Sequence, residues 1–162
     1  MSNRVARRFQ IRNNSGIPQW EDPGSVYFIT CSTHEDFPYA LTGAQLGSAI
    51  CGCIKHDDGI RYELEAYVLM PDHMHLLLLA LPRDDGFVPL SEILQSLKGA
   101  SSHKVNKALA RRGPVWLPRT HTRAVRSEAE HRAKWWYIRR NPVRAGLCET
   151  PEKWPWLWPQ PD

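Results

Sequence analysis

Two histidines, one residue apart, interrupt the otherwise apolar segment YVLMPDHMHLLLLA at residues 67–80. Because side chains alternate between the two faces of a strand, His73 and His75 would project from the same face. Two parallel imidazoles can bind one divalent metal ion, although paired histidines also occur as hydrogen-bonded residues in or beside a core. The spacing leaves both interpretations open, and a metal site would need a third ligand.

A second candidate group lies in KWWYIRRNPVRAGL, residues 134–147. Tyr137 and Asn141 are four residues apart, so a helix would place them on one face. An amide oxygen is a suitable ligand for Mg²⁺, and a phenol beside a metal ion can attack a phosphodiester. Two other interpretations stay open. Tyr137 could be a core aromatic, like the two tryptophans before it, and Asn141 could cap a short turn that starts at Pro142.

Basic residues are concentrated in one half of the chain. The net charge is +4, yet the segment from Lys98 to Arg144 contains 13 lysines and arginines and only two acids. The first twelve residues add four arginines and no acid. This distribution indicates a polyanionic partner, most simply nucleic acid, and the alternative is a solvated basic face.

Length and composition are typical of one globular domain with a substantial core, since the 162 residues are 42% hydrophobic. No apolar stretch approaches the roughly 20 residues that span a bilayer, and no signal-peptide core follows the basic start. The four cysteines lack the spacing of a zinc site and are interpreted as reduced thiols. We therefore expect a cytoplasmic protein without membrane contact.

The predicted elements follow the order strand, helix, strand, strand, helix, strand, helix. Their ranges are 26–33, 41–56, 60–70, 74–81, 90–111, 119–126 and 127–140. The two strands around the histidines are predicted to form a hairpin, and Ser127 with Glu130 matches a capping box at the start of the last helix. The β-α-β-β-α-β order predicts an α+β fold, a ferredoxin-like split βαβ antiparallel sheet with helices on one face.

Three regions are expected along the chain. Residues 1–25 form a basic N-terminal arm, residues 26–148 a single domain, and residues 149–162 a tail with four prolines and three tryptophans. The prolines exclude a regular helix from the tail, so it is predicted to pack in an extended form.

The segments MPDHMHLLL and YIRRNPVRAGL, about sixty residues apart, resemble the motifs of the single-tyrosine HUH transposases, and especially the REP-associated tyrosine transposases. HUH denotes histidine, a bulky hydrophobic residue and histidine, here His73, Met74 and His75. VYFITCSTH and ILQSLKGASSHKVNK are also similar, so the resemblance covers residues 26 to about 158. Asp72 stands where the family often has asparagine.

The resemblance implies a metal-dependent enzyme acting on single-stranded DNA. His73 and His75 would bind Mg²⁺ or Mn²⁺, with Asn141 as the third, amide ligand. Tyr137 would attack a phosphodiester, forming a 5′-phosphotyrosine link and releasing a 3′-OH. The implied substrates are hairpin-forming strands, in this subgroup the repetitive extragenic palindromes. We expect the protein to associate with the nucleoid. A monomer and a homodimer both stay open.

Basic residues are the candidates for contacts to the DNA backbone. Arg139, Arg140 and Arg144 flank the proposed nucleophile. The other candidates are Arg123, Arg126, Lys98 and Lys104.

Two other functions stay open. A non-catalytic module that binds single-stranded nucleic acid could use the same sheet, although the MHLLLLAL strand lacks the exposed aromatic pattern of RNA-binding domains. A metal-dependent nucleotide hydrolase of the histidine-triad type would need a third alternating histidine, and position 77 is leucine.

Overall fold

The structure, a computed structural model, describes residues 24–84 and 86–160, so the predicted arm at 1–25 lies almost entirely outside the described residues. The strands are β1 (Val26–Ser32), β2 (Tyr62–Leu69), β3 (His73–Ala80), β4 (Pro82–Arg83), β5 (Gly86–Phe87), β6 (His121–Val125) and β7 (Leu157–Trp158). The helices are α1 (Ala44–His56), α2 (Leu90–Ala108), α3 (Glu128–Arg144) and a short 3₁₀ turn, Pro151–Lys153. Within the described residues, no helix combines the length and hydropathy needed to cross a bilayer.

The main sheet contains five strands in the order β6-β1-β3-β2-β7, and every neighbouring pair is antiparallel. Its first four strands have the order of a ferredoxin-like sheet, which confirms the predicted α+β class. The predicted hairpin is also confirmed, since β2 pairs with β3 and places Leu69 opposite Met74. Strands β4 and β5 form a separate two-stranded ribbon.

Side-chain alternation divides the apolar residues between two cores. On β3, Met74, Leu76 and Leu78 lie in the first core, between the sheet and helices α1 and α2. Leu77 points the other way into the second core, where it packs with Ile138 of α3. The predicted placement of helices on one face therefore holds for α1 and α2, whereas α3 lies on the opposite face. The reason is that the central strands are apolar on both faces, so each face must be buried against a helix to keep its side chains out of water.

Helix α3 continues through Pro142, although proline was predicted to end it. The helix ends one turn later in a Schellman motif, with Gly146 at φ 71° and the Leu147 N–H donating to the Pro142 carbonyl at 2.9 Å. Asn141 is therefore a helical residue and not the cap of a separate turn.

The C-terminal tail extends the sheet beyond β2. The indole N–H of Trp154 donates to the Leu69 carbonyl at 3.0 Å, and that of Trp156 donates to the Thr42 carbonyl at 3.0 Å. Each tryptophan thus packs a partly buried ring against one of the two cores and satisfies its single donor. The segment predicted to pack in an extended form contains the 3₁₀ turn and β7.

The packing of α1 against the tail generates a stability prediction. A Cβ added at Gly47 would lie 2.7 Å from the Trp156 ring, so Gly47→Ala should lower the free energy of unfolding by about 1–3 kcal/mol. Gly52→Ala is the control in the same helix, because no atom lies within 4 Å of its added Cβ. Alanine favours helix, so the control should raise stability by about 0.5–1 kcal/mol. Urea unfolding measures both, and equal effects would contradict the packing.

Candidate active site

The pairing of β1 with β3 builds the floor of the site. Thr30 lies directly opposite His75, and Ser32 lies opposite His73. The Oγ1 of Thr30 is 2.8 Å from Nδ1 of His75. The Phe28 ring stacks on the His75 imidazole with 5.2 Å between centroids. These contacts fix both the plane of the His75 ring and the partner of its Nδ1.

His73 is oriented by its neighbour in the chain. Its Nδ1 lies 2.7 Å from Oδ1 of Asp72, and its ring centroid is 4.8 Å from that of His75. With the proton on Nδ1, each imidazole keeps a free electron pair on Nε2. A hydrogen bond at one ring nitrogen that leaves the other free is the usual arrangement of a metal-binding histidine.

Burial keeps the His75 imidazole neutral. Its residue is only 6% exposed. Loss of hydration, followed by electrostatic repulsion from His73 and Lys134, lowers the pKa of His75 from 6.5 to about 3. The neutral imidazole is the form that can bind a metal ion.

Helix α3 brings Tyr137 to the histidines. The helix starts at Ser127, whose Oγ accepts a hydrogen bond from the Glu130 N–H at 3.1 Å, as the capping-box pattern predicted. Ile138 is fully buried in the second core and anchors the next position of the helix on the sheet. Tyr137 is half-buried, and its ring centroid lies 5.3 Å from that of His75.

Asn141 follows Tyr137 by one helical turn on the same side of α3 and is half-buried. In residues 24–84 and 86–160, no group of three or more His, Cys, Asp or Glu side chains could hold a metal ion. On α3, Asn141 offers a donor of another type, a side-chain amide. The oxygen of Asn141 has the chemistry that a hard divalent cation accepts, so the available donors fit Mg²⁺ or Mn²⁺.

Two cations flank Tyr137. The Nζ of Lys134 is 5.9 Å from the Tyr137 ring centroid and 4.6 Å from that of Phe28. On the other side, the guanidinium carbon of Arg144 is 5.5 Å from the Tyr137 centroid. Sequence reasoning missed Lys134, Phe28 and Thr30. The strand containing the last two was recognised, but its register against β3 is a long-range property that the local sequence does not carry.

The other arginines that were candidates for DNA contacts differ in their surroundings. Arg139 is buried and donates to the Pro159 carbonyl at 2.8 Å, which favours a structural role for its guanidinium. Arg140 and Arg126 are exposed. Arg123 is exposed but pairs with a carboxylate of α3 at 2.9 Å.

Lys98 and Lys104 lie on α2, so the sheet separates them from Tyr137. The Nζ of Lys98 donates to the carbonyls of Leu117 at 2.6 Å and Pro118 at 3.0 Å. Lys104 is close to Cys53 of α1. The structure therefore does not bring these two lysines to the candidate site.

Comparison with known proteins identifies the family. The model of the family described as "Transposase IS200 like" matches residues 45–136, more than half of the chain. The chain belongs to this family. The matched region contains both histidines and ends one residue before Tyr137.

Individual relatives agree with the resemblance seen in the sequence. The REP-associated tyrosine transposase of Escherichia coli (strain K12) is 29% identical over 94 residues. These residues make up 58% of this chain and 52% of the relative, so the match spans about half of the relative's length. A solved structure described as the REP-associated tyrosine transposase bound to a REP hairpin has a TM-score of 0.70 at 24% identity, covering 89% of this chain and 82% of that one. This likeness shows a shared fold. A putative transposase from Deinococcus radiodurans R1 has a TM-score of 0.47.

The neutral, buried His75 predicts a specific acid sensitivity of the metal-free protein. Unfolding exposes the imidazole and restores its ordinary pKa of 6.5. Below about pH 6.5, the His75 imidazole is therefore protonated in the unfolded state but stays neutral in the folded state. Stability due to this residue is therefore present at neutral pH and is lost as the pH falls towards 3. The expected slope is up to about 1.4 kcal/mol per pH unit between roughly pH 6 and 3.

Urea unfolding at a series of pH values, with chelator present, measures this slope. His75→Gln should show a shallower dependence by up to one proton, whereas His103→Gln, at an exposed position of α2, should keep the wild-type slope. Identical slopes for the wild type and His75→Gln would contradict a neutral buried imidazole.

Proposed function

We propose that this protein cleaves and rejoins single-stranded DNA at hairpin sites, with Tyr137 as the nucleophile and Mg²⁺ or Mn²⁺ as its cofactor. The observation that carries the proposal is the 5.3 Å contact between the rings of Tyr137 and His75. It brings a half-exposed phenol beside two imidazoles with free electron pairs. Membership of the IS200-like transposase family supports the reaction class, and the hairpin in the solved relative supports the substrate class.

In the proposed reaction, the phenol oxygen of Tyr137 attacks the phosphorus of a phosphodiester. A bond forms between that oxygen and phosphorus, and the bond from phosphorus to the 3′ oxygen of the preceding nucleotide breaks. The phenol loses a proton and the departing oxygen gains one, so a 3′-OH is released. Attack of a 3′-OH on the phosphotyrosine reverses the step, so rejoining requires no external energy source.

The side chains around the phenol have separate roles. Lys134 and Arg144 would bind the non-bridging oxygens of the scissile phosphate, because charge-assisted hydrogen bonds to phosphate are strong and directional. His73, His75 and Asn141 would hold the cation, which when bound supplies Lewis-acid polarisation of the phosphoryl oxygen.

A covalent adduct tests the proposal. With Mn²⁺ or Mg²⁺ and labelled hairpins that carry single-stranded flanks, the wild type should form a denaturant-resistant protein–DNA adduct. Tyr137→Phe should form none, because it lacks the attacking oxygen. Tyr39→Phe, at another exposed tyrosine, is the matched control and should keep the wild-type yield. An adduct that survives in Tyr137→Phe excludes this nucleophile, and hairpin binding without any adduct favours the non-catalytic module.

Metal affinity tests the partner of His75. Thr30→Val keeps the shape of the side chain but removes the hydroxyl at His75 Nδ1. Affinity for Mn²⁺, measured by titration calorimetry, should fall about 10- to 100-fold, the usual cost of losing the group that orients a metal-binding histidine. Thr122→Val on the exposed edge strand β6 is the control and should bind as the wild type does. Unchanged affinity in Thr30→Val would contradict the orienting role.

A further inference from the structure

Trp136 lies on the surface of α3 and does not contribute to either hydrophobic core that the described residues form. The residue is 50% exposed. Its indole meets the Trp135 ring edge-to-face at 5.1 Å. The guanidinium carbon of Arg140 lies 5.6 Å from the centroid of the Trp136 ring. The half-exposed indole of Trp136, with Arg140 beside it, is thus presented to solvent.

Helix geometry makes this surface continuous with the candidate active site. Successive residues of an α-helix are rotated by about 100°, so Trp136 lies next to Tyr137 around the helix. Arg140 falls between the two, about 40° from Trp136 and about 60° from Tyr137. At the outer radius of a helix with its side chains, about 5–6 Å, a rotation of 100° corresponds to a separation of roughly 8 Å. A strand held at Tyr137 can therefore meet Arg140 and then Trp136.

The charge around Trp136 indicates what binds there. Arg132, Arg140 and Arg144 are all exposed on α3. Exposed aromatics interleaved with arginines are typical of surfaces for single-stranded nucleic acid, since every base offers a π face and the arginines bind phosphates. A second copy of this chain would bring the same positive charge against the patch, which disfavours a homodimer at this surface.

We propose that Trp136 and Arg140 form a stacking subsite for one unpaired base of the strand bound at Tyr137. The base stacks on the indole of Trp136, and Arg140 binds an adjacent phosphate. The inference rests on the proposed function and adds a preference to it. A base can reach the indole only if it is not paired and stacked in a duplex, so the subsite selects an unpaired nucleotide beside the scissile phosphate.

Binding to matched hairpins tests the subsite. All proteins carry Tyr137→Phe so that binding is measured without cleavage, and fluorescence anisotropy compares a hairpin with and without single-stranded flanks. Adding Trp136→Ala should weaken binding of the flanked hairpin about 5- to 100-fold and leave the blunt hairpin unchanged. Trp136→Phe should restore most of the affinity, and Tyr39→Ala should have no effect. Equal losses on both hairpins would overturn the subsite.

A fluorescent base identifies the stacked nucleotide. With 2-aminopurine placed at each flank position in turn, we expect quenching by the protein at one position beside the scissile phosphate. Trp136→Ala should lose that quenching. An abasic nucleotide at the same position should weaken binding by protein that retains Trp136 but should have no further effect in Trp136→Ala.

The outcomes separate the two proposals. If the wild type forms the Tyr137 adduct but no flank position is quenched, the subsite is overturned and the proposed function stands. If the wild type neither binds a flanked hairpin nor forms an adduct, both fail together. Thermal unfolding of Trp136→Ala checks that the variant is folded. If it is not, the 2-aminopurine scan of protein that retains Trp136 still tests whether a flank base is stacked.

Discussion

Strand β1 pairs with β3 in the register that places Thr30 opposite His75, and the geometry of the candidate site depends on this pairing. Side chains alternate, so a slip of one residue would turn Thr30 and Phe28 into the first core and remove both contacts to the imidazole. The register is held by the neighbouring positions, because Ile29 and Leu76 are fully buried on the other face. Residues that never touch the site thus determine which partner His75 has.

Helix α3 must also be fixed on the sheet, since its position sets the distance from Tyr137 to the histidines. Ile138 supplies the apolar contact in the second core. Nearer the start of the helix, Nε2 of His131 pairs with the carboxylate of Glu65 on β2. Strand pairing shifts between Leu64 and Ala66, so Glu65 sits at a bulge of β2. Bulges commonly redirect a side chain beside a functional site, and here the redirected carboxylate binds the helix that carries the tyrosine.

Local patterns predicted the elements well, because strand alternation and helical i, i+4 spacing are properties of neighbouring residues. The length of α3 could not be predicted in this way. Proline favours a helix end, yet Pro142 is buried within α3, and the helix ends one turn later at Gly146. The face covered by α3 was also missed, because apolar residues on both sides of β3 do not indicate which helix covers which side.

The same limit applies to the site. The spacing of His73 and His75, and of Tyr137 and Asn141, was visible in the sequence, whereas the contact between the two pairs depends on tertiary packing. Charge counting could not separate buried Arg139 from exposed Arg140, since adjacent helical residues face different surroundings. Lys134 was missed because nothing in its sequence environment distinguishes it from other surface lysines.

Mapping of the residue that becomes attached to DNA is the sharpest test of Tyr137 as the proposed nucleophile. Protein incubated with Mn²⁺ and a flanked hairpin is denatured, treated with nuclease and protease, and analysed by tandem mass spectrometry. We expect a peptide containing Tyr137 that carries a 5′-linked nucleotide on its phenol oxygen. A nucleotide attached to any other residue would exclude Tyr137 as the nucleophile.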